Sequence, residues 1–394
     1  MQNKNKHLLI LASVAVIFII AALFSSPTNI HIEGSGDHVF PELLPRVNDV
    51  TYIKITRNDG TLTLTRDGDI WTVKENDNYP AAVEQVRQLV LGIANMKLVE
   101  PKTSKPENYG PLGLQDVEKD GAKSTHVVLT AGTDKKLADI IIGDSKPAKG
   151  NDNQKSYYIR KSGNPQSWLA EAALPDQWKP KNWLDIDVME IKRDRIQQVK
   201  VNHQNGELVY IHRNSPDVRD FTLESLQPGE RVTAPYEVNN IATTFTKMTF
   251  DDVVNAGNAK AEEQPIYTAV LKTFDGLEIT FEPHKAGDKY LATVSATFDQ
   301  AFANQWQEKL AQQSTETDTD DAAKPADAAH GGGDSGNPAD NPAFKSPEEV
   351  QDEAKSYNDR WNNWMYQLPN FRVENIGKKK QDLLAKEGAA APVH

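Results

Sequence analysis

Cysteine is absent from the 394 residues. Disulfide scaffolds, cysteine nucleophiles, zinc ribbons and iron–sulfur clusters are thereby excluded, while the compartment stays open. An excess of positive charge is missing too: 44 lysines and arginines face 56 acids, for a formal charge of −12. A nucleic-acid interface is therefore not expected. None of the nine histidines forms a metal-binding pair at helical spacing; His203 and His212 flank one predicted hairpin and read as exposed loop residues. No G-x-S-x-G elbow occurs. Gly331-Gly332-Gly333 lacks the lysine and the flanking strand and helix of a phosphate loop. Gly143-Asp144-Ser145 begins like an esterase nucleophile block, but Lys146-Pro147 follows and a strand exit fits better. The carboxylate pairs Asp185 with Asp187 and Asp251 with Asp252 read as polar flanks of strands and helices. These absences point away from an enzyme, a cofactor and a metal.

What is present is enough to fold. Hydrophobic residues make up 38% of the chain and charged residues 25%, a globular balance whose length predicts two domains or three. Leu8–Phe24 is an uncharged apolar run preceded by Lys4 and Lys6. At helical rise it reaches roughly 25 Å, near the thickness of a hydrocarbon core. The positive-inside rule then leaves the N-terminus in the cytoplasm and exports the rest. An uncleaved anchor is the expectation and a cleaved signal peptide the alternative, since Leu23 and Phe24 interrupt the small-residue cleavage pattern. Ser314–Ala343 carries seven acids against Lys324, with Thr-Asp, Ala/Pro and Gly tracts and no apolar period. It is expected to be a disordered acidic tether.

Between these ends the pattern is mostly strand. Val50–Thr56 alternates with period 2, Asn58-Asp59-Gly60 supplies a turn, and Thr61–Thr65 alternates again before Ile70–Val73. Pro80 then opens a helical segment with Val83, Val86, Leu89, Val90, Ile93 and Met96 on one stripe. The order recurs at Val199-Lys200-Val201, Asn205-Gly206, Glu207–Ile211 and Phe221–Leu223, followed by Val238, Ile241, Phe245, Met248 and Phe250. Strands resume in both halves, at Val127–Leu129 and Ile140–Ile142, then at Tyr267–Thr273 and Leu277–Phe281. An internal duplication of a β-meander, a helix and further antiparallel strands follows from this pattern.

Ser346-Pro347-Glu348-Glu349 is a capping box. Val350, Ala354, Tyr357, Trp361, Trp364 and Leu368 form an apolar seam on the helix expected after it. Gly377-Lys378-Lys379-Lys380 reads as a solvated helix start. Trp168, Trp178 and Trp183 lie close together in sequence, in what reads as a linker, and are the candidate ligand or partner surface.

Several segments mark a family. They are Tyr109-Gly110-Pro111-Leu112-Gly113-Leu114, Ala138-Asp139-Ile140-Ile141-Ile142-Gly143, Ser156-Tyr157-Tyr158-Ile159-Arg160, Asn182-Trp183-Leu184-Asp185-Ile186 and Arg195–Val201. With the N-terminal span, they resemble the bacterial family called domain of unknown function four-three-four-zero, over roughly residues 45–300. The resemblance implies an auxiliary envelope subunit beside ABC-transporter components like those of gliding-motility systems, and transfers no catalytic residue. The resulting expectation is an α+β protein: an N-terminal transmembrane helix, then two tandem repeats of antiparallel β-meander plus packing helix. Its segments are 1–26 (cytoplasmic N-terminus and anchor), 45–183 (first module), 184–300 (second module), 314–343 (tether) and 346–394 (helical, docking on the second module). The expected location is the inner membrane, single-pass, with the bulk in the periplasm. The expected partners are an ABC permease or ATPase and auxiliary subunits, with a periplasmic glycan- or lipid-binding module as the alternative function.

Overall fold

A computed structural model describes residues 34–132, 134–148, 154–309 and 344–385. The apolar run at 8–24 and the acidic stretch 314–343 lie outside the described residues. The chain divides into two compact units, Met1–Glu75 with Val83–Trp183, and Asn76–Ala82 with Leu184–His394.

The first unit is built on one antiparallel sheet. Its strands are β1 (Val50–Arg57), β2 (Gly60–Asp67), β3 (Ile70–Val73), β5 (Lys97–Pro101), β6 (Thr125–Ala131), β7 (Lys135–Pro147), β8 (Lys155–Lys161) and β9 (Ser167–Ala172); β4 (Tyr79–Pro80) belongs to the second unit. Within the unit they lie in the order β3-β2-β1-β6-β7-β8-β9-β5. Period-2 alternation sets the register, because a slip of one residue would turn every apolar side chain outward. Ile53 lies opposite Leu64 and Leu129, and Ile55 opposite Leu62 and Val127; all six are buried. Helix α1 (Val83–Ala94) buries Val86, Leu89, Val90 and Ile93. Gly92 brings it against the chain leaving β9, where a β-carbon would meet the Ala173 carbonyl oxygen at 2.3 Å. The outer edge of β5 is covered by backbone bonds from Gly36 to Leu98 (2.8 Å) and from Val39 to Met96 (2.9 Å), which removes it as a free template for another strand.

The second unit holds a larger sheet and a small one. Strands β10 (Asp187–Glu190) and β14 (Lys247–Thr249) pair with each other. The eight-stranded sheet contains β11 (Ile196–His203), β12 (Leu208–His212), β13 (Thr222–Leu223), β15 (Asp252–Asn255), β16 (Tyr267–Thr273), β17 (Leu277–Ala286), β18 (Lys289–Phe298) and β19 (Trp364–Gln367), in the order β13-β12-β11-β16-β17-β18-β19-β15. Helix α2 (Pro235–Thr243) packs on β11, and Phe245 just beyond it meets Phe281 edge-on at 6.0 Å. Helix α3 (Pro347–Trp361) lies on β17 and β18 behind the capping box of Ser346 and Glu349. Helices α4 (Asn370–Ile376) and α5 (Lys380–Leu383) follow, and residues 300–309 are also helical.

The fold class expected from the sequence needs correction. The described residues form large antiparallel sheets with few helices, and no described helix is long and apolar enough to cross a membrane. The α+β content stands, but the tandem meander-plus-helix repeats do not. Each meander is only one edge of a sheet whose remaining strands pair beyond it, because β6 and β16 zip onto the free sides of β1 and β11. What the units share is the path of a whole sheet: adding ten to each strand number of the first order yields the second. The seam after the capping box is corrected as well. The helix stops at Trp361, Asn363 takes a left-handed φ of 71°, and Trp364–Gln367 becomes a strand between β18 and β15. A step of three or four residues across that turn looked helical only because both elements face the same core.

Candidate functional site

In the first unit the segment after β5 folds into two tight turns, Pro106–Asn108 and Gly110–Leu112. Gly113, at a φ of +67°, closes the second turn in a conformation that disfavours other residues. The turn lies on the sheet. Ile141 points away from the face of its neighbour Ile140, as strand geometry requires. There it packs with Tyr109 and Leu114, with Leu112 and Tyr158 alongside. Contact this close needs two glycines. A β-carbon on Gly143 would lie 2.2 Å from the Leu112 carbonyl oxygen, and one on Gly113 would lie 2.9 Å from the Asp144 amide nitrogen. The pairing of β7 with β8 shifts register between Ile142 and Ser145, where the turn arrives.

Arg160 on β8, opposite Ile141, completes the site. Its Nε donates to the Leu114 carbonyl at 3.0 Å and its Nη2 to the Asp116 carboxylate. The guanidinium lies over the Tyr109 ring, 4.9 Å from its centroid, and the Tyr109 hydroxyl donates to the Pro165 carbonyl at 2.6 Å. Cation, ring and turn hold one another in place. The two partners of the ion pair differ in burial: the Arg160 side chain is 8% exposed and that of Asp116 is 70%. These residues open onto a pocket of about 370 Å³, completed by Pro106, Gln115, Lys119, Gly163, Asn164 and Pro165. Among the described residues the Arg160 side chain makes its hydrogen bonds through Nε and Nη2, and none through Nη1. A fixed planar cation beside an aromatic wall and two carboxamides is chemically suited to an anion or a planar polar group.

Other buried charges serve the fold. In the second unit Arg195 binds Asp275 through Nε at 2.8 Å and Nη2 at 3.2 Å, and binds Glu353 of α3 at 3.0 and 2.8 Å. Lys345 reaches the same Glu353 at 2.9 Å. Burial alone would raise the Glu353 pKa, but hydrogen bonds and charge from Arg195, with help from Lys345, hold it below the usual carboxylate range. Arg213 is 1% exposed and spends its donors on the carbonyls of Ile196, Pro216, Val218 and Arg193. Burial first, then repulsion from Arg193, lowers its pKa to about 10.

The residues singled out in the sequence fall elsewhere. Trp168 lies on β9 opposite Ile159, under Gly34, and is partly buried. Trp178 is partly exposed in the segment after β9. Trp183 is 0% exposed and donates to the Gln177 carbonyl at 2.9 Å, so its ring offers no face to a ligand. Ser145 sits within β7 opposite Tyr157. His203 packs against Tyr267, whereas His212 binds Glu224 at 2.6 Å. Lys378 and Lys380 are held by Glu237 and Glu230 rather than left to solvent. The Tyr109–Arg160 pairing escaped sequence reasoning. Both residues lie in segments that carry the family resemblance, but nothing local says that they meet.

No curated protein and no solved structure matches the chain. One family model does, Domain of unknown function (DUF4340), over residues 71–267. That span is narrower than the one read from the sequence, yet it takes in every residue that lines the pocket. With half of its length matched, the chain belongs to the DUF4340 family.

Proposed function

We propose that this protein is a non-enzymatic accessory or scaffold subunit of an envelope transport machine, working by contact with other proteins. The observation that carries the proposal is the Tyr109–Arg160 pocket. Its polar groups are oriented by the fold, and they present a recognition surface of one anchored cation, carboxamides and an aromatic wall. Within it Arg160 is tied to Asp116 and to a backbone carbonyl, a holding arrangement rather than the nucleophile–base couple of a reactive centre. The family resemblance supplies the partner class, an ABC-type permease or ATPase of the gliding-motility kind. The apolar run at 8–24 behind Lys4 and Lys6 supports an address outside the cytoplasm. The glycan- or lipid-binding alternative leaned on three tryptophans, and the burial of Trp183 removes one of them.

The test is an affinity pull-down of the tagged full-length protein from cross-linked cells, read by mass spectrometry, with Lys119→Glu and Gln115→Ala as lining variants. An ABC permease or ATPase enriched with the natural chain and depleted with the variants is the expected result. Recovery of the chain without transporter subunits would overturn the proposal.

A further inference from the structure

We infer that Asp116 is a built-in stand-in for a partner's carboxylate, and that the Tyr109–Arg160 pocket binds an acidic peptide segment by exchanging the one for the other. The inference rests on the proposed role in protein contact and specifies the chemistry of that contact.

The asymmetry of the ion pair motivates it. Arg160 is nearly buried, anchored through Nε on the Leu114 carbonyl and stacked on Tyr109, so it cannot follow a departing partner. Left alone, its buried charge would be costly, and some anion has to sit there. Asp116 is mostly exposed and holds only one end of the guanidinium. Released, it returns to water, where a carboxylate is well solvated. An incoming carboxylate can take both Nη2 and Nη1, which bonds to none of the described residues, in the two-pronged geometry that arginine favours. The count of charges selects the ligand. Arg160 and Lys119 against Asp116 leave the pocket with one net positive charge, which suits a monovalent carboxylate better than a phosphate dianion. The body of the ligand is indicated by the walls: Pro106, Pro165 and Tyr109 offer apolar surface, and the Gln115 carboxamide and the Asn164 amide NH2 group can pair with peptide groups, the Asn164 oxygen already accepting from the Gln166 amide at 2.8 Å.

The experiment follows the Arg160 Nε–H resonance in the full-length protein, assigned with Arg160→Lys, during titration with four probes. These are Ac-Ala-Glu-Ala-NH2, the matching glutamine peptide, Ac-Ala-Ala-Ala with a free C-terminus, and inorganic phosphate. The expected result is a saturable shift with the glutamate peptide or the free C-terminus, and none with the glutamine peptide. The first two arms tell a side-chain carboxylate from a terminal one. Asp116→Asn removes the competing anion while keeping the shape, and tightens binding of the acidic peptide about tenfold. Three outcomes would overturn the inference: no shift by either acid in both the natural chain and Asp116→Asn; equal shifts by the glutamate and glutamine peptides; or a shift by phosphate alone. Should the transporter pull-down still depend on the pocket in such a case, only the acidic-peptide inference fails, and contact through this site survives.

Discussion

Gly143 lies so close under Leu112 that a β-carbon placed on it would sit 2.2 Å from the Leu112 carbonyl oxygen. One strand residue thus determines whether the Tyr109 turn can rest on the sheet. Since Arg160 reaches the Leu114 carbonyl of the same turn at 3.0 Å, the approach at Gly143 also sets the geometry of the pocket.

Gly143→Ala is accordingly expected to push the turn off β7. The clash involves backbone, which cannot rotate away, so the cost is that of overpacking, about 1–3 kcal/mol. A urea titration will show a lower midpoint, and the Arg160 Nε–H resonance will move because its acceptor moves.

Glu353→Gln tests the charge cluster that seats α3. Arg195 and Glu353 are both nearly buried, with side chains 3% and 11% exposed. Asp275 still partners Arg195 in the variant, so the loss is smaller than that of stripping a buried charge bare: about 2–3 kcal/mol, read from denaturant unfolding.

The same residue makes stability fall in acid. The Glu353 pKa in the folded protein is below its ordinary value of 4.5. Its contribution is therefore fully present above 4.5 and is lost as the pH drops through the lowered value, because the unfolded chain takes up the proton more readily. Asp299, held down by hydrogen bonds from Lys272 and the Phe302 amide, adds in the same direction below 3.8. The urea midpoint will be flat from about pH 6 to 5 and decline beneath that. In Glu353→Gln the decline will be shallower; an identical slope would contradict the assignment.

The segment after residue 343 is an integral part of the second unit. Strand β19 lies between β18 and β15, the Trp361 indole donates to the Val188 carbonyl at 2.9 Å, and Asn358 exchanges two bonds with Ala296 at 2.8 and 2.7 Å. A protease site built into Gly331–Gly333 and cleaved in the folded protein should leave both fragments together in size-exclusion chromatography under native conditions. Separation would show that covalent continuity, rather than this packing, retains the segment.

The strands were largely legible in the sequence, and the reason is local. Ile53, Ile55, Leu62 and Leu64 alternate with threonines and Lys54, and period-2 alternation reports a strand with one buried face whatever covers it. The stripe from Val86 to Ile93 reports a helix in the same way, and Ser346 with Glu349 announces its own cap. Such patterns say which side chains are hidden, not what hides them. At Trp361 and Trp364 the local signal misled, because a turn at Asn363 preserved a helical spacing between a helix and a strand.

The amino-acid order by itself therefore determined the hairpins, the helix stripes, the capping box and the family segments, all of which depend on residues a few positions apart. Only the tertiary structure decided that β6 pairs with β1, that β19 fills the gap between β18 and β15, and that Arg160 stacks on Tyr109. Those relationships join residues dozens to more than a hundred positions apart. They are selected by steric fit, as at Gly143, and by the need of a buried guanidinium for acceptors, neither of which leaves a periodic trace along the chain.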